Sequence, residues 1–241
     1  MNIRIFENSE QVGAVAAQIF ATQILENPHS VLGLATGSSP LETYQEIIHL
    51  YQKGLIDFSN ITTFNLDEYV SIPHDHPASY HAFMNEHLFN HINIQKEKTY
   101  IPDGNVTDLQ QESLHYDQKI RLAGGIDLQL LGIGNNAHIG FNEPSSLFTY
   151  GCHVVDLTQS TIEANTRFFD NEKQVPRQAI SLGIGSIMNA KKIVLIALGK
   201  GKAQAIYNTV HGEIDPQVPA SILRVHQHVT LLLDKEAAHL L

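Results

Sequence analysis

The 241-residue sequence predicts an α/β fold built on an open, mostly parallel sheet that is doubly wound, with helices on both faces. Short apolar runs alternate along the chain with longer amphipathic stretches, which is typical of βαβ units with right-handed crossovers. Several runs, such as Val194–Leu198, are apolar at every position, as expected for strands that helices cover on both sides. These two observations predict a Rossmann-like architecture.

The predicted strands are short runs rich in Ile, Leu and Val: Ile3–Phe6, Ser30–Ala35, Ile61–Leu66, Ile126–Leu131, His153–Leu157, Lys192–Leu198 and His228–Leu233. The predicted helices lie between them and have apolar residues at helical spacing: Ser9–Leu25, Leu41–Lys53, Ala78–Phe89, Leu109–Leu122, Arg177–Met188 and Lys202–His211. No linker, repeat or low-complexity block divides the chain, so we predict a single domain over residues 1–241.

The composition narrows the classes of function. Asp and Glu outnumber Lys and Arg by 25 to 15, and this net charge of −10 argues against nucleic-acid or anionic-membrane partners. The single cysteine, Cys152, cannot form an internal disulfide, which favours a reducing compartment. The amino terminus lacks a signal pattern, and no apolar run approaches the roughly 20 residues that span a bilayer. We therefore expect a cytoplasmic protein.

The segment Leu130–Pro144, which reads LLGIGNNAHIGFNEP, is the most informative about function. It follows a predicted strand, and the carboxyl end of a strand in an open α/β sheet borders the ligand crevice. We expect Gly132 and Gly134 to supply backbone angles that other residues resist. His138 and Glu143 would lie at the crevice as an acid–base pair. The alternative is that His138 is a structural histidine.

Two acidic residues, Asp67 and Glu68, directly follow another predicted strand. A carboxylate at a partly desolvated strand end has a raised pKa, which suits a general base, and we assign this role to Asp67. Both residues could instead be solvated loop charges, and we keep that interpretation for Glu68.

A glycine-containing turn at residues 33–40, GLATGSSP, precedes a predicted helix. Gly37 permits a tight turn, and Ser38 and Ser39 offer hydroxyl and N–H donors beside the positive end of the helix. These features predict an anion site, most simply for phosphate. The alternative is a turn with a helix cap and Pro40 in the first helical turn.

Basic side chains near predicted strand ends could neutralise such an anion. Lys200 and Lys202 lie in LGKGKA, which follows an apolar strand and opens a helix, and Arg167 lies in TRFFD. Arg167 and Lys202 could equally be surface charges.

The fourteen histidines raise the question of a metal site. Pairs at ligand spacing, such as His74 with His76 and His87 with His91, have no cysteine pair or HExxH motif beside them, so we expect no metal. No G-x-G-x-x-G lies between the first strand and its helix, so we expect no nicotinamide cofactor.

Together these segments resemble the glucosamine-6-phosphate deaminase family. The matching pieces run in the family's order from residue 33 to residue 223: GLATGSSP, FNLDEY, GIGNNAHIGFNEP, ANTRFF, LGKGKA and PASIL. The combination of DEY with HIGFNEP is specific. The related 6-phosphogluconolactonases follow the histidine with a TASLFP type of sequence, which is missing here.

The resemblance implies conversion of glucosamine 6-phosphate and water to fructose 6-phosphate and ammonia, an aldose–ketose isomerisation with hydrolytic deamination and no cofactor. His138 would open the sugar ring, Glu143 would orient His138, and Asp67 would move the proton from C2 to C1. Asn136 would support them. The phosphate would be held by Arg167, Lys202 and the N–H groups at Gly37–Ser39.

The chain departs from the family pattern at two places. Asn136-Ala137 replaces a frequent Asp-Gly pair, and an alanine disfavours the positive φ that glycine would allow there. The segment 145–153 contains no Arg or Lys, so we predict no allosteric regulation of the kind some members have. A lactonase-like hydrolase and a sugar-phosphate-sensing module on the same scaffold are the alternatives, and a homo-oligomer is possible.

Overall fold

The computed structural model describes residues 1–166, 169, 171 and 174–241, apart from the side chains of Ser160 and Ala164. Its central sheet has seven strands in the order β1-β10-β9-β6-β2-β3-β5, all pairing in parallel. These strands are β1 (Asn2–Phe6), β2 (Val31–Leu34), β3 (Thr62–Asn65), β5 (Thr99–Tyr100), β6 (Leu128–Leu131), β9 (Lys192–Ala197) and β10 (Val229–Asp234). The predicted parallel α/β sheet is confirmed.

Helices pack on both faces of this sheet. They are α1 (Ser9–Glu26), α2 (Leu41–Gln52), α3 (Tyr80–His87), α4 (Leu109–Leu122), α5 (Gln159–Asn165), α6 (Ile184–Met188) and α7 (Ala203–His211). Helices α1 and α2 pack against each other, and α4 is joined to α6 by a 2.7 Å hydrogen bond from Ser186 Oγ to Asp117 Oδ1. Right-handed crossovers place these two pairs on opposite faces. No helix among the described residues has the length and apolar character needed to cross a membrane.

The strand order creates a switch point between β2 and β6. From β2 the chain proceeds outward through β3 to β5, then returns to β6 and proceeds in the other direction to β9. The loops that leave β2 and β6 therefore diverge and open a crevice at their carboxyl ends, where ligands bind in this class of fold.

A second sheet of three antiparallel strands lies beside the first, in the order β4-β8-β7. It contains β4 (Asp67–Tyr69), β7 (His153–Asp156) and β8 (Gln178–Ser181). The prediction of a helix over Arg177–Met188 is wrong, because its first half is β8 and only the part after Gly183 is helical. Its apolar side chains fit a helical period, but residues 179–181 are buried as an extended strand.

The remaining elements differ from the predictions mostly at their ends. Helix α3 is shorter than the predicted Ala78–Phe89, since Ser79 is its N-cap and accepts a hydrogen bond from Ala82 N–H at 3.0 Å. Strand β5 has only two residues, strand β4 has three, and helix α5 has seven. Such short elements give weak periodic signals, and none of the three is predicted by the sequence patterns.

Candidate active site

The loops that carry the predicted site residues converge at the switch point. Strands β9, β6, β2 and β3 are neighbours in the sheet, and the segments 198–202, 132–143, 35–40 and 66–69 leave their carboxyl ends. Four segments that are distant in the sequence therefore begin along the same edge of the sheet, on both sides of the switch point.

His138 and Glu143 form the predicted pair. Nδ1 of His138 lies 3.3 Å from Oε2 of Glu143, and the two side chains are 22% and 7% exposed. Asn136 Nδ2 donates to the same Oε2 at 2.6 Å, while Asn136 Oδ1 accepts from His138 N–H at 3.3 Å. Burial by itself raises the pKa of Glu143, but the neighbouring His138 ring, with hydrogen bonds from Thr161 and Asn136, outweighs it and lowers that pKa to about 2. Glu143 is therefore an anion that can orient His138.

The backbone of this loop departs from the expectation. Neither Gly132 nor Gly134 has a positive φ. Gly134 is needed for space instead, since a methyl group there would lie about 2.5 Å from ring atoms of His138. The left-handed residues are Ala137, with a φ of 66°, and Gly140, with a φ of 56°. The expectation that alanine would avoid a positive φ at 137 is wrong, and this conformation costs roughly 1–2 kcal/mol.

Asp67 lies against the same loop. Its Oδ2 is 3.6 Å from the position of a methyl group on Gly140, and Ser181, its partner across the β4–β8 pair, accepts a 3.0 Å hydrogen bond from Phe141 N–H. The residue is 7% exposed. Burial, followed by the negative charge of Glu68, raises the pKa of Asp67 to about 8. Asp67 thus has the environment expected of a general base.

Glu68 is completely buried, so its interpretation as a solvated loop charge is wrong. Its carboxylate accepts backbone hydrogen bonds of 2.9–3.2 Å from Tyr69, Tyr80 and His81, and it lies 3.0 Å from His81 Nδ1. Two of these N–H groups belong to the first turn of α3, where a negative charge is favourable. Glu68 therefore joins strand β4 to helix α3 directly beside Asp67.

The turn after β2 has the features of an anion site. Gly37 has a φ of 92° and open space beside it, and Ser38 is exposed. Pro40 occupies the N-cap position of α2 and supplies no side-chain cap, so the first N–H groups of the helix have no capping side chain. Ser39 lies between the exposed Ser38 and the N-cap residue Pro40. Helix α2 therefore does not begin with the ordinary side-chain cap of the alternative interpretation.

The loop after β9 places Lys202 at the N-cap position of α7, partly exposed. The adjoining Gly201 faces the histidine loop, because a methyl group there would lie 3.7 Å from Asn135 Oδ1. Arg167, the other predicted phosphate ligand, lies outside the described residues. Within the described part of the chain, no three His, Cys, Asp or Glu side chains are grouped as a metal site.

Thr161 contacts this site, although the sequence analysis did not single it out. Its hydroxyl donates a short hydrogen bond to Oε1 of Glu143 from helix α5. The only sequence signal is the Thr158-x-x-Thr161 spacing, typical of a helix start, which does not indicate the distant partner.

Comparison with known proteins identifies the family of the chain. The profile of the family described as glucosamine-6-phosphate isomerases/6-phosphogluconolactonase matches residues 7–232. The chain belongs to this family. A relative called glucosamine-6-phosphate deaminase, from Thermoanaerobacter sp. (strain X514), is 54% identical over all 241 residues. Another relative of the same name, from Clostridioides difficile (strain 630), is 48% identical over 238 residues. Those alignments cover 95% and 96% of the relatives, and 100% and 99% of this chain.

Solved structures of the isomerase/lactonase family have the same fold. One, described as a monomeric glucosamine-6-phosphate deaminase, is 44% identical and superposes with a TM-score of 0.98 over all of both chains. The 6-phosphogluconolactonase from Trypanosoma cruzi is 20% identical, with a TM-score of 0.76 over 99% of this chain and 96% of that one. The second likeness concerns the fold alone.

Proposed function

We propose that this family member converts glucosamine 6-phosphate and water to fructose 6-phosphate and ammonia, as an isomerase–deaminase. The observation that carries the proposal is the approach of Asp67 to the His138 loop, with Oδ2 3.6 Å from a methyl position on Gly140. A base at C2 and an acid–base group at the ring oxygen must reach one six-carbon substrate. The names of the 48–54% identical relatives support the same reaction.

Ring opening is the first step, and we assign it to His138. The imidazole takes the proton of the anomeric hydroxyl and returns one to the ring oxygen, so that C1 becomes a carbonyl. Glu143 stabilises the imidazolium that forms, and Asn136 holds the Glu143 carboxylate in place through its 2.6 Å hydrogen bond.

Proton transfer from C2 to C1 is the second step, and we assign it to Asp67. The C2 proton is acidic only after C1 has become a carbonyl, so ring opening must come first. Asp67 removes this proton as a carboxylate and delivers it to C1, while the amino nitrogen loses a proton and the C1 oxygen gains one. The imine left at C2 is hydrolysed by water, which releases ammonia and leaves a ketone.

The phosphate anchors the substrate away from the reacting carbons. We assign this role to Gly37, Ser38 and Ser39 with the first N–H groups of α2, and to Lys202 and Arg167 as cations. Binding energy from the phosphate then holds C1 and C2 over Asp67. We further propose that the protein is cytoplasmic, as its single cysteine and its composition favour, and monomeric, like the relative described as monomeric.

One assay separates this function from its alternatives. Purified protein incubated with glucosamine 6-phosphate should release ammonia and fructose 6-phosphate in equal amounts. A lactonase would instead hydrolyse a phosphogluconolactone and leave the amino sugar unchanged. Binding of glucosamine 6-phosphate without ammonia release would indicate a sensing module and contradict the proposal.

A further inference from the structure

Both carboxylate oxygens of Glu143 are held by other side chains. Oε2 accepts the 2.6 Å hydrogen bond from Asn136 and faces Nδ1 of His138 at 3.3 Å, whereas Oε1 accepts from the hydroxyl of Thr161. A carboxylate held at one oxygen alone can rotate about its last torsion angle. The bond from Thr161 removes this freedom.

The hydroxyl of Thr161 is itself oriented by the start of helix α5. Thr158 is the N-cap residue, and its Oγ1 accepts from Thr161 N–H at 3.3 Å. The hydroxyl of Thr158 donates to Thr161 Oγ1 at 3.1 Å. A hydroxyl that accepts a hydrogen bond on its oxygen directs its own proton elsewhere, here to Glu143, and successive bonds of this kind strengthen one another.

Helix α5 is attached to the rest of the site by packing. Ile162, next to Thr161, is 3% exposed and belongs to a buried cluster with Tyr69 and Phe141. Tyr69 is two residues beyond Asp67, and Phe141 lies in the loop of His138. Thr161 is therefore held in a fixed relation to both catalytic segments.

We propose that Thr161 is a positioning residue for ring opening, which holds the Glu143 carboxylate in the orientation that keeps Oε2 facing His138. This inference rests on the proposed function. It assigns no proton transfer to Thr161, whose hydroxyl keeps its proton throughout.

The test compares Thr161→Val, which keeps the shape and removes the donor, with Thr161→Ser, which keeps the donor. Hydrogen bonds to charged groups are strong, so Thr161→Val should lower kcat about tenfold to a hundredfold. KM should stay within about threefold because the phosphate ligands are untouched. Thr161→Ser should remain close to the wild-type kcat.

A direct measurement of ring opening distinguishes positioning from general damage to the fold. In an Asp67→Asn background, where C2 deprotonation is blocked, exchange between the α and β anomers of glucosamine 6-phosphate can be followed by NMR. Adding Thr161→Val to this background should slow the enzyme-dependent exchange by about the same factor as it lowers kcat. Unchanged exchange would overturn the inference.

The control is Thr209→Val near the carboxyl end of helix α7, at the opposite end of the helix from Lys202, which removes a buried hydroxyl that donates to Ala205 O at 2.7 Å. It should leave kcat unchanged. If Thr161→Val does not fold, Thr161→Ala removes the same donor with a better helix former, and the same loss is expected. Wild-type kcat in the folded donor-free variant, or an equal loss in Thr161→Ser, contradicts the inference. Absence of ammonia release by the wild-type protein contradicts the function instead.

Discussion

Asp67 combines a buried position with a neighbouring negative charge, and both favour its protonated form. Since its pKa is raised to about 8, the free protein carries mostly the protonated acid at pH 7. Only the carboxylate can act as the base. We therefore expect kcat/KM to rise with pH up to about 8, because this constant reports the ionisation of the free enzyme. A pH profile of kcat/KM that is flat between pH 6 and 8 would contradict this assignment.

Replacing Glu68 by Gln tests the cause of that shift. The charge of Glu68 is the second contribution to the raised pKa of Asp67, after burial. Removing it should move the rising limb of the kcat/KM profile to lower pH. Glu163→Gln, an exposed change on the surface of α5, serves as the control and should leave the limb in place.

Asp67→Asn should separate catalysis from stability. The variant should lose exchange of the C2 proton with solvent while its substrate affinity stays within roughly a few-fold, because the carboxylate acts mainly in the transition state.

The stability of this variant should depend less on pH than that of the wild type. The unfolded-state pKa of Asp is about 3.9, so between pH 4 and 8 the folded wild type binds a proton that the unfolded chain does not. Wild-type stability therefore falls as pH rises through this window, by at most about 1.4 kcal/mol per unit from this group. Urea unfolding at pH 5 and pH 8 gives the free energy of unfolding of both proteins. Relative to the wild type, the Asp67→Asn variant should be more stable at pH 8 than at pH 5. A constant difference would contradict the raised pKa.

The sequence predicts some of these residues because their role depends on their place in the chain. Asp67, His138 and Glu143 lie at strand ends, and the parallel sheet brings strand ends together. Glu68 and Thr161 escape prediction because their roles depend on partners 12 to 18 residues away, at the start of α3 and in the His138 loop. No local pattern determines such contacts.

At the scale of elements, helix α2 also holds the predicted phosphate loop in place. The hydroxyl of Tyr44, which is completely buried, donates to Ala35 O at 2.6 Å and accepts from Ala35 N–H at 3.2 Å. Ala35 is the first residue of the loop. One side chain of the helix therefore satisfies both polar groups of the backbone where strand β2 ends.

Tyr44→Phe should leave those two backbone groups unpaired and buried. We expect a loss of about 1–3 kcal/mol in the free energy of unfolding, and a KM raised severalfold with a smaller change in kcat. Steady-state kinetics and urea unfolding measure both. Tyr51→Phe, near the other end of the same helix, is the matched control and should change neither. An unchanged KM in a destabilised Tyr44→Phe would show that the loop does not hold the phosphate.

Element prediction succeeds where the periodic pattern is long. Helices α1 and α4 and strands β1, β9 and β10 agree with the sequence to within about one residue at each end, which is the usual fraying of element boundaries. In the second sheet only β7 agrees in this way, because β4 has three residues and β8 continues into α6 after a two-residue break. The strands of this sheet are fixed by pairing between distant segments, and the spacing of the apolar residues within 179–187 fits either a strand or a helix.

At the scale of the whole molecule, the negative net charge is unfavourable for binding an anion at the proposed phosphate site. The chain carries a formal charge of −10, and its proposed substrate is an anion. Long-range attraction cannot bring the two together, so we expect recognition to depend on local groups at the start of α2 and α7. Raising the salt concentration should therefore weaken binding less than it does for a protein that attracts its ligand with its overall charge.

The proposed monomeric state predicts how the velocity depends on substrate concentration. A relative 44% identical to this chain is described as monomeric, and residues 145–153 contain no Arg or Lys that could hold a second sugar phosphate. A monomer with one site has no second site for cooperative binding, so we expect its velocity to depend hyperbolically on substrate concentration. Light scattering should give a mass near 26.8 kDa, and N-acetylglucosamine 6-phosphate should leave the velocity curve unchanged. A sigmoidal curve that becomes hyperbolic on adding that compound would require an oligomer with a separate effector site.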